Sequence, residues 1–190
     1  MTVLLSLAGY ATVSAVLYAL LRIRCRRDPV FRAPRRRWAF YLLSFTWGAP
    51  AVLSGAAAAL FIRIGGRKPV KFGWGWSFDI PGVGWGLSLG LFFIAPEGDE
   101  RIRMHEYGHA IQNVYLGPFM PAVILIPSYV RFWFRAIREK RGRPPTADYE
   151  SVWFEGSATR SGEEFAKRAV PPDEGRKSAT QKPGVASKNP

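Results

Sequence analysis

The sequence predicts a mostly α-helical membrane protein with two transmembrane helices, a third segment that is re-entrant or interfacial, a small β-hairpin and a zincin-like pair of helices. Three observations carry that prediction. Residues 2–21 and 38–62 are long apolar runs without a single charged side chain. Eight arginines lie between Arg22 and Arg37, in the stretch that joins those runs. The motif His105-Glu106-Tyr107-Gly108-His109 holds both histidines of the chain, four positions apart, with a glutamate between them.

The first run contains 20 uncharged residues, and at ~1.5 Å per residue a helix of that length crosses the ~30 Å hydrocarbon layer. A cleaved signal peptide would carry its positive charges before the apolar stretch, whereas here they follow it, so a retained anchor is expected. The second run is interrupted only by Pro50 and contains small side chains from Gly55 to Ala59, which let another helix come close. Basic residues beside a span resist translocation, so the arginine cluster belongs in the cytoplasm and the N-terminus outside.

A net charge of +13 suits either nucleic acid or an anionic membrane. Its concentration between two apolar runs favours the membrane, and no nucleic-acid partner is expected. The single cysteine, Cys25, excludes an intramolecular disulfide and a cysteine-framed zinc site, so any metal must rely on histidine and carboxylate.

From Lys71 to Ile94 the period changes to two. Phe72, Trp74, Trp76, Phe78 and Ile80 alternate with small or polar residues, as do Val83, Trp85, Leu87, Leu89, Leu91 and Phe93. With Pro81-Gly82 between them, this spacing predicts a hairpin. Asp99 or Glu100 then starts a helix that Gly117-Pro118 stops. Residues 116–130 are uncharged but short for a span and contain Pro118, Pro121 and Pro127. A basic stretch from Arg131 to Arg143 precedes a last helix, expected over residues 147–168. Domain boundaries follow as an N-terminal helical hairpin with its basic loop at 1–63, a zincin-like region at 64–169 and a disordered tail at 170–190.

On a helix, positions i and i+4 share a face, so His105 and His109 can direct their imidazoles at one ion with Glu106 beside it. Neutral imidazoles bind zinc well, the ion lowers the pKa of water to about 7, and a carboxylate next to it can take the proton. Glu106 is the expected base. An ordinary amphipathic helix can also carry surface histidines, but here both of them fall in the motif.

A catalytic zinc takes three protein ligands. With no histidine left, the third must be a carboxylate, and Asp148, Glu150, Glu155, Glu163 and Glu164 follow in the chain. Glu155 has the most apolar surroundings, among Val152, Trp153, Phe154 and Ala158; Glu150 is the second choice. Glu163 and Glu164 read as solvated partners of Lys167 and Arg168. Gln112 and Asn113 are within reach of the site's rim, although polar residues near a helix end need no special role. Tyr107, Tyr149 and Arg160 are candidate donors to an oxyanion, and nothing in the sequence selects among them.

With these residues, the helix resembles the gluzincin class of zinc metallopeptidases, in which two histidines and a glutamate from a later helix hold the metal. The resemblance implies Glu155 as the third ligand and encourages reading the 74–93 region as an edge strand for an extended peptide. The run HEYGHAIQNVYLGP, then Pro127-Ser128 and DYESVWFEGSATRSG, is also similar to a group of poorly characterised bacterial membrane proteins. That similarity spans residues 85–162 and implies a bacterial inner membrane. One departure is Thr159, which stands where gluzincins commonly place an aspartate that orients a ligand histidine.

The expected activity is zinc-dependent hydrolysis of peptide bonds in membrane or membrane-proximal polypeptides. The alternative is a non-catalytic membrane protein with a structural or vestigial zinc site, acting through its basic loops on lipids or a partner subunit. One constraint applies to both: a full crossing by residues 116–130 would part Glu155 from His109, so a segment that turns back is preferred.

Overall fold

The computed structural model describes residues 2–143 and 148–169. Helix α1, Thr2–Arg27, covers 26 residues, or ~39 Å at 1.5 Å per residue. Most of its leucines and valines are exposed, Leu17 and Leu21 pack half-buried against the core, and only Ser14 and Cys25 are buried. Its hydroxyls turn inward on the helix: Ser6 donates to the Thr2 carbonyl, Thr12 to Ala8 and Ser14 to Tyr10, at 2.8–3.0 Å. Among the described residues, α1 is the one straight helix long and apolar enough to cross a membrane.

The second apolar run forms two helices rather than one straight rod. Helix α2, Arg37–Phe45, and helix α3, Ala49–Ile64, meet at a bend of 89°. Pro50 sits in the first turn of α3 and cannot continue the helix before it. The bend is also held from outside. Trp47 Nε1 donates to the Tyr115 carbonyl at 3.3 Å, and a Cβ at Gly48 would run into the Asn113 amide.

The expected hairpin is replaced by a four-stranded mixed sheet. Strands β1, Val70–Phe72, and β2, Gly75–Ile80, form one antiparallel pair. Strands β3, Leu87–Leu89, and β4, Phe92–Pro96, form another. The two hairpins join through a parallel β2–β4 ladder, giving the order β1-β2-β4-β3. Pro81-Gly82 is a turn, with φ +76° at Gly82, but it opens a crossover rather than closing a hairpin. The alternation was legible; the partner of each strand was not, because parallel pairing is set by distant contacts and not by the nearest turn.

Helix α4, Glu100–Leu116, carries the histidine motif. The Asp99 side chain caps it by accepting from Ile102 N at 2.9 Å, and Gly117, at φ +52°, ends it just before Pro118. A 3-10 turn at Gly117–Phe119 and a π-helical stretch at Pro121–Leu125 lead into helix α5, Ile126–Lys140. The α4 and α5 arms are bent by 114°, so the chain doubles back where the three prolines lie. Helix α6, Trp153–Ala169, then returns along α4.

Helices α4 and α6 touch backbone to backbone. A Cβ at Gly108 would collide with the Ala158 carbonyl, and one at Gly162 with the Met104 carbonyl. Around this contact lies a core of Phe31, Phe40, Leu91, Phe93, Tyr107 and Ile111, drawn from chain on both sides of position 63.

Candidate metal centre

The α4–α6 contact places three electron-pair donors together. Glu155 Oε2 is 3.1 Å from His105 Nε2 and 3.1 Å from His109 Nε2. The three side chains form a group that could hold a metal ion, with one ligand atom from each within 4.8 Å of the others. Glu155 is fully buried, His109 is buried and His105 nearly so.

Each histidine is held by its other nitrogen. Gln112 is fully buried and donates from Nε2 to the Phe154 carbonyl at 2.9 Å and to Ser157 Oγ at 2.6 Å. That turns its Oε1 toward His109 Nδ1, at 2.7 Å. The hydrogen-bond network therefore assigns the ring proton to Nδ1 and leaves Nε2 as a lone pair facing Glu155. Thr159 acts likewise on the other ring. Its hydroxyl lies 3.4 Å from the Glu155 carbonyl and 2.9 Å from His105 Nδ1, so its oxygen accepts the His105 proton when the hydroxyl turns to that carbonyl. Thr159 thus serves His105 as a neutral acceptor.

Two imidazole lone pairs and a carboxylate oxygen converging at a largely buried point repel one another unless a cation or a proton lies among them. The protonation tendencies say the same. Burial alone would keep His109 neutral, yet the hydrogen bond and charge of Glu155 push its pKa up to about 9. Burial would also raise the Glu155 carboxyl, but hydrogen bonds with His105, His109 and Ser128 hold it far below the usual carboxylate range. The donor set therefore fits a divalent cation.

Glu106 stands beside the group and lines the same cavity of about 720 Å³ as His105, His109 and Glu155. Burial pushes its carboxyl up from the ordinary range, with the two histidines pulling the other way. Gly86 makes the room, since a Cβ there would strike Glu106 Oε1. Among the described residues, no side chain hydrogen-bonds the Glu106 carboxylate. Strand β3, at the sheet edge, runs along the cavity.

The other candidates separate clearly. Glu150 pairs with Arg101 at 2.7 Å on the surface, and Glu164 pairs with Arg168 at 2.6 Å, one turn away. Asp148 and Glu163 are exposed. Asn113 is buried against the Gly48 carbonyl, away from the donors. Of the oxyanion candidates, Tyr107 is buried in the core and accepts from Trp74 N, while Arg160 is exposed. The Tyr149 side chain lies outside the described residues. Ser128, at the start of α5, donates to Glu155 Oε1 and was not legible as part of the site, because it arrives from a separate helix through space. No family model matches the chain, nor does any curated protein or solved structure.

Proposed function

We propose that the chain is a membrane-anchored zinc peptidase that hydrolyses peptide bonds of membrane or membrane-proximal polypeptides. One observation carries the reading: a two-histidine, one-carboxylate donor set lines a cavity that a second buried glutamate, Glu106, also lines. His105, His109 and Glu155 are the ligands, and their donor types and number are those of catalytic zinc sites with an open position. Zinc bound there supplies Lewis-acid polarisation of a carbonyl and a lowered water pKa.

The chain's own residues account for the remaining work. Glu106 takes the proton from the attacking water at a carboxylate oxygen and delivers it to the departing amine, and its raised pKa suits both transfers. Gln112 and Thr159 hold the two rings in the tautomer that leaves Nε2 free. Ser128 holds Glu155 Oε1, which leaves Oε2 toward the histidines. The free edge of β3 offers backbone groups to an extended peptide lying along the cavity.

The test compares wild type with Glu106→Gln in detergent, on a quenched-fluorescence peptide library, with metal content measured on the same samples. The expected result is hydrolysis by wild type that falls by about 10²- to 10⁴-fold in the variant, with metal retained in both. Equal function of the two proteins would favour the structural-zinc alternative.

A further inference from the structure

Helix α5 is built inside out for a protein in water. It has no buried residue. Ile126, Tyr129, Val130, Trp133, Phe134 and Ile137 recur at helical spacing along one stripe, and all six are exposed. In a water-soluble fold such a stripe would face the core. Here the opposite face does the inward work: Ser128, Phe132, Arg135 and Glu139 line the cavity of the metal centre.

We propose that the outward stripe of α5 is seated in the headgroup boundary of an anionic bilayer, so that the cavity opens at the membrane surface. This rests on α5 and its surroundings and stands whatever metal the site holds and whether or not it hydrolyses anything.

Three further observations choose the lipid surface as the occupant. The first is continuity with α1. The segment that feeds α5 is fastened to that long apolar helix, with Tyr10 Oη donating to the Pro118 carbonyl at 2.8 Å and its ring stacked on Phe119 at 5.3 Å. The second is charge. Residues 131–143 contain six cations, Arg131, Arg135, Arg138, Lys140, Arg141 and Arg143, against one anion, Glu139. That excess complements lipid phosphates and would set like charges against each other if the stripe buried itself on a second copy of the chain. The third is composition. The helical arm Pro121–Lys140 carries five charged side chains, Arg131, Arg135, Arg138, Glu139 and Lys140, which disfavour a crossing and suit an arm lying in the surface with Tyr129 and Trp133 at headgroup level.

The full chain is tested by a nitroxide scan of residues 129–139, one cysteine at a time in a Cys25→Ser background. The labelled proteins are reconstituted in phosphatidylcholine vesicles with and without phosphatidylglycerol, and collision with oxygen and with a water-soluble nickel chelate is read by power saturation. In the phosphatidylglycerol vesicles, labels at Val130, Phe134 and Ile137 are expected to meet oxygen and exclude nickel. Labels at Arg135 and Glu139 should run out of phase, which makes the scan its own folding control. The contrast should shrink in pure phosphatidylcholine and in a Lys140→Gln, Arg141→Gln, Arg143→Gln variant. Nickel access along the whole stripe in both vesicles would overturn the proposal. So would exclusion of both reagents with dipolar coupling between labels on two chains, the signature of a second copy as occupant. Equal contrast in the two lipids would overturn the anionic selectivity that the proposal states.

Discussion

Glu155 is a carboxylate that water does not reach, and its charge is tolerable only because of what meets it. Both histidine Nε2 atoms lie 3.1 Å from one of its oxygens, and Ser128 donates to the other. This arrangement ties metal uptake to pH. In the metal-free protein, Glu155 raises His109 from an ordinary 6.5 to about 9. His109 is therefore protonated at pH 7 and must lose that proton to become a ligand, so metal affinity climbs as pH rises toward 9. Calorimetric zinc titrations at pH 6, below the range in which a zinc-bound water ionises, in two buffers of different ionisation enthalpy should show at least about one proton released per zinc; no proton release there would contradict the assignment. The orienting hydroxyl gives a second prediction. Thr159→Val keeps the shape but removes the acceptor for His105 Nδ1, and zinc affinity is expected to fall about 10- to 100-fold, as a competing chelator would report. At this scale the sequence was legible where residue type and spacing bring groups together, as for His105 and His109 on one face of α4. The apolar neighbours of Glu155 also marked it as a carboxylate in need of a partner. Gln112 looked like an unremarkable polar residue near a helix end, yet it is fully buried and fixes the His109 tautomer. Its role depends on two acceptors from α6, which no local pattern announces.

Among the elements, the α4–α6 contact decides whether the ligands meet. Gly108 lies inside the histidine motif and Gly162 follows Glu155 by two turns, and each permits a carbonyl of the opposite helix to approach where a methyl group would collide. Gly108→Ala forces the helices apart or distorts one of them, at a cost of about 1–3 kcal/mol. Since Glu155 reaches the histidines only across this seam, the variant should melt several degrees lower and also lose zinc affinity, whereas Gly9→Ala, in α1 with open space around it and helical backbone, should leave zinc affinity unchanged. Differential scanning fluorimetry alongside chelator competition separates the two effects. The helix limits were legible because Asp99 and Gly117-Pro118 are local signals. The sheet was legible only as alternation. Its strands pair across a parallel ladder that brings β4 beside β2 and leaves β3 at the edge over the cavity, and that choice is made by packing against α4 rather than by Pro81-Gly82.

Over the whole molecule, a side-chain group that could hold a metal ion and a long apolar helix occupy one structure. Helix α6 runs beside the basic half of α1, with Trp153 against Tyr18 at 5.4 Å and Ser161 accepting from Phe31 N at 2.8 Å. Glu155, next to Trp153 and Phe154, therefore lies beside the stretch of α1 that holds Leu17, Tyr18 and Leu21. The first apolar run announced its helix plainly. The second did not announce its bend, since Pro50 permits a kink but the 89° angle is held by Trp47 and Gly48 against the end of α4. The turn at residues 117–125 likewise resolves a conflict visible in the sequence, because an α5 arm bent by 114° from α4 allows the chain to return Glu155 to His109. The central proposal is that the chain holds zinc through His105, His109 and Glu155, a group that could hold a metal ion. Its most direct test is zinc per chain by elemental mass spectrometry on detergent-purified wild type, His109→Ala and Glu155→Ala, washed identically. The account predicts close to one zinc per wild-type chain and a large loss in both variants; zinc absent from all three, or retained equally by all three, would contradict it.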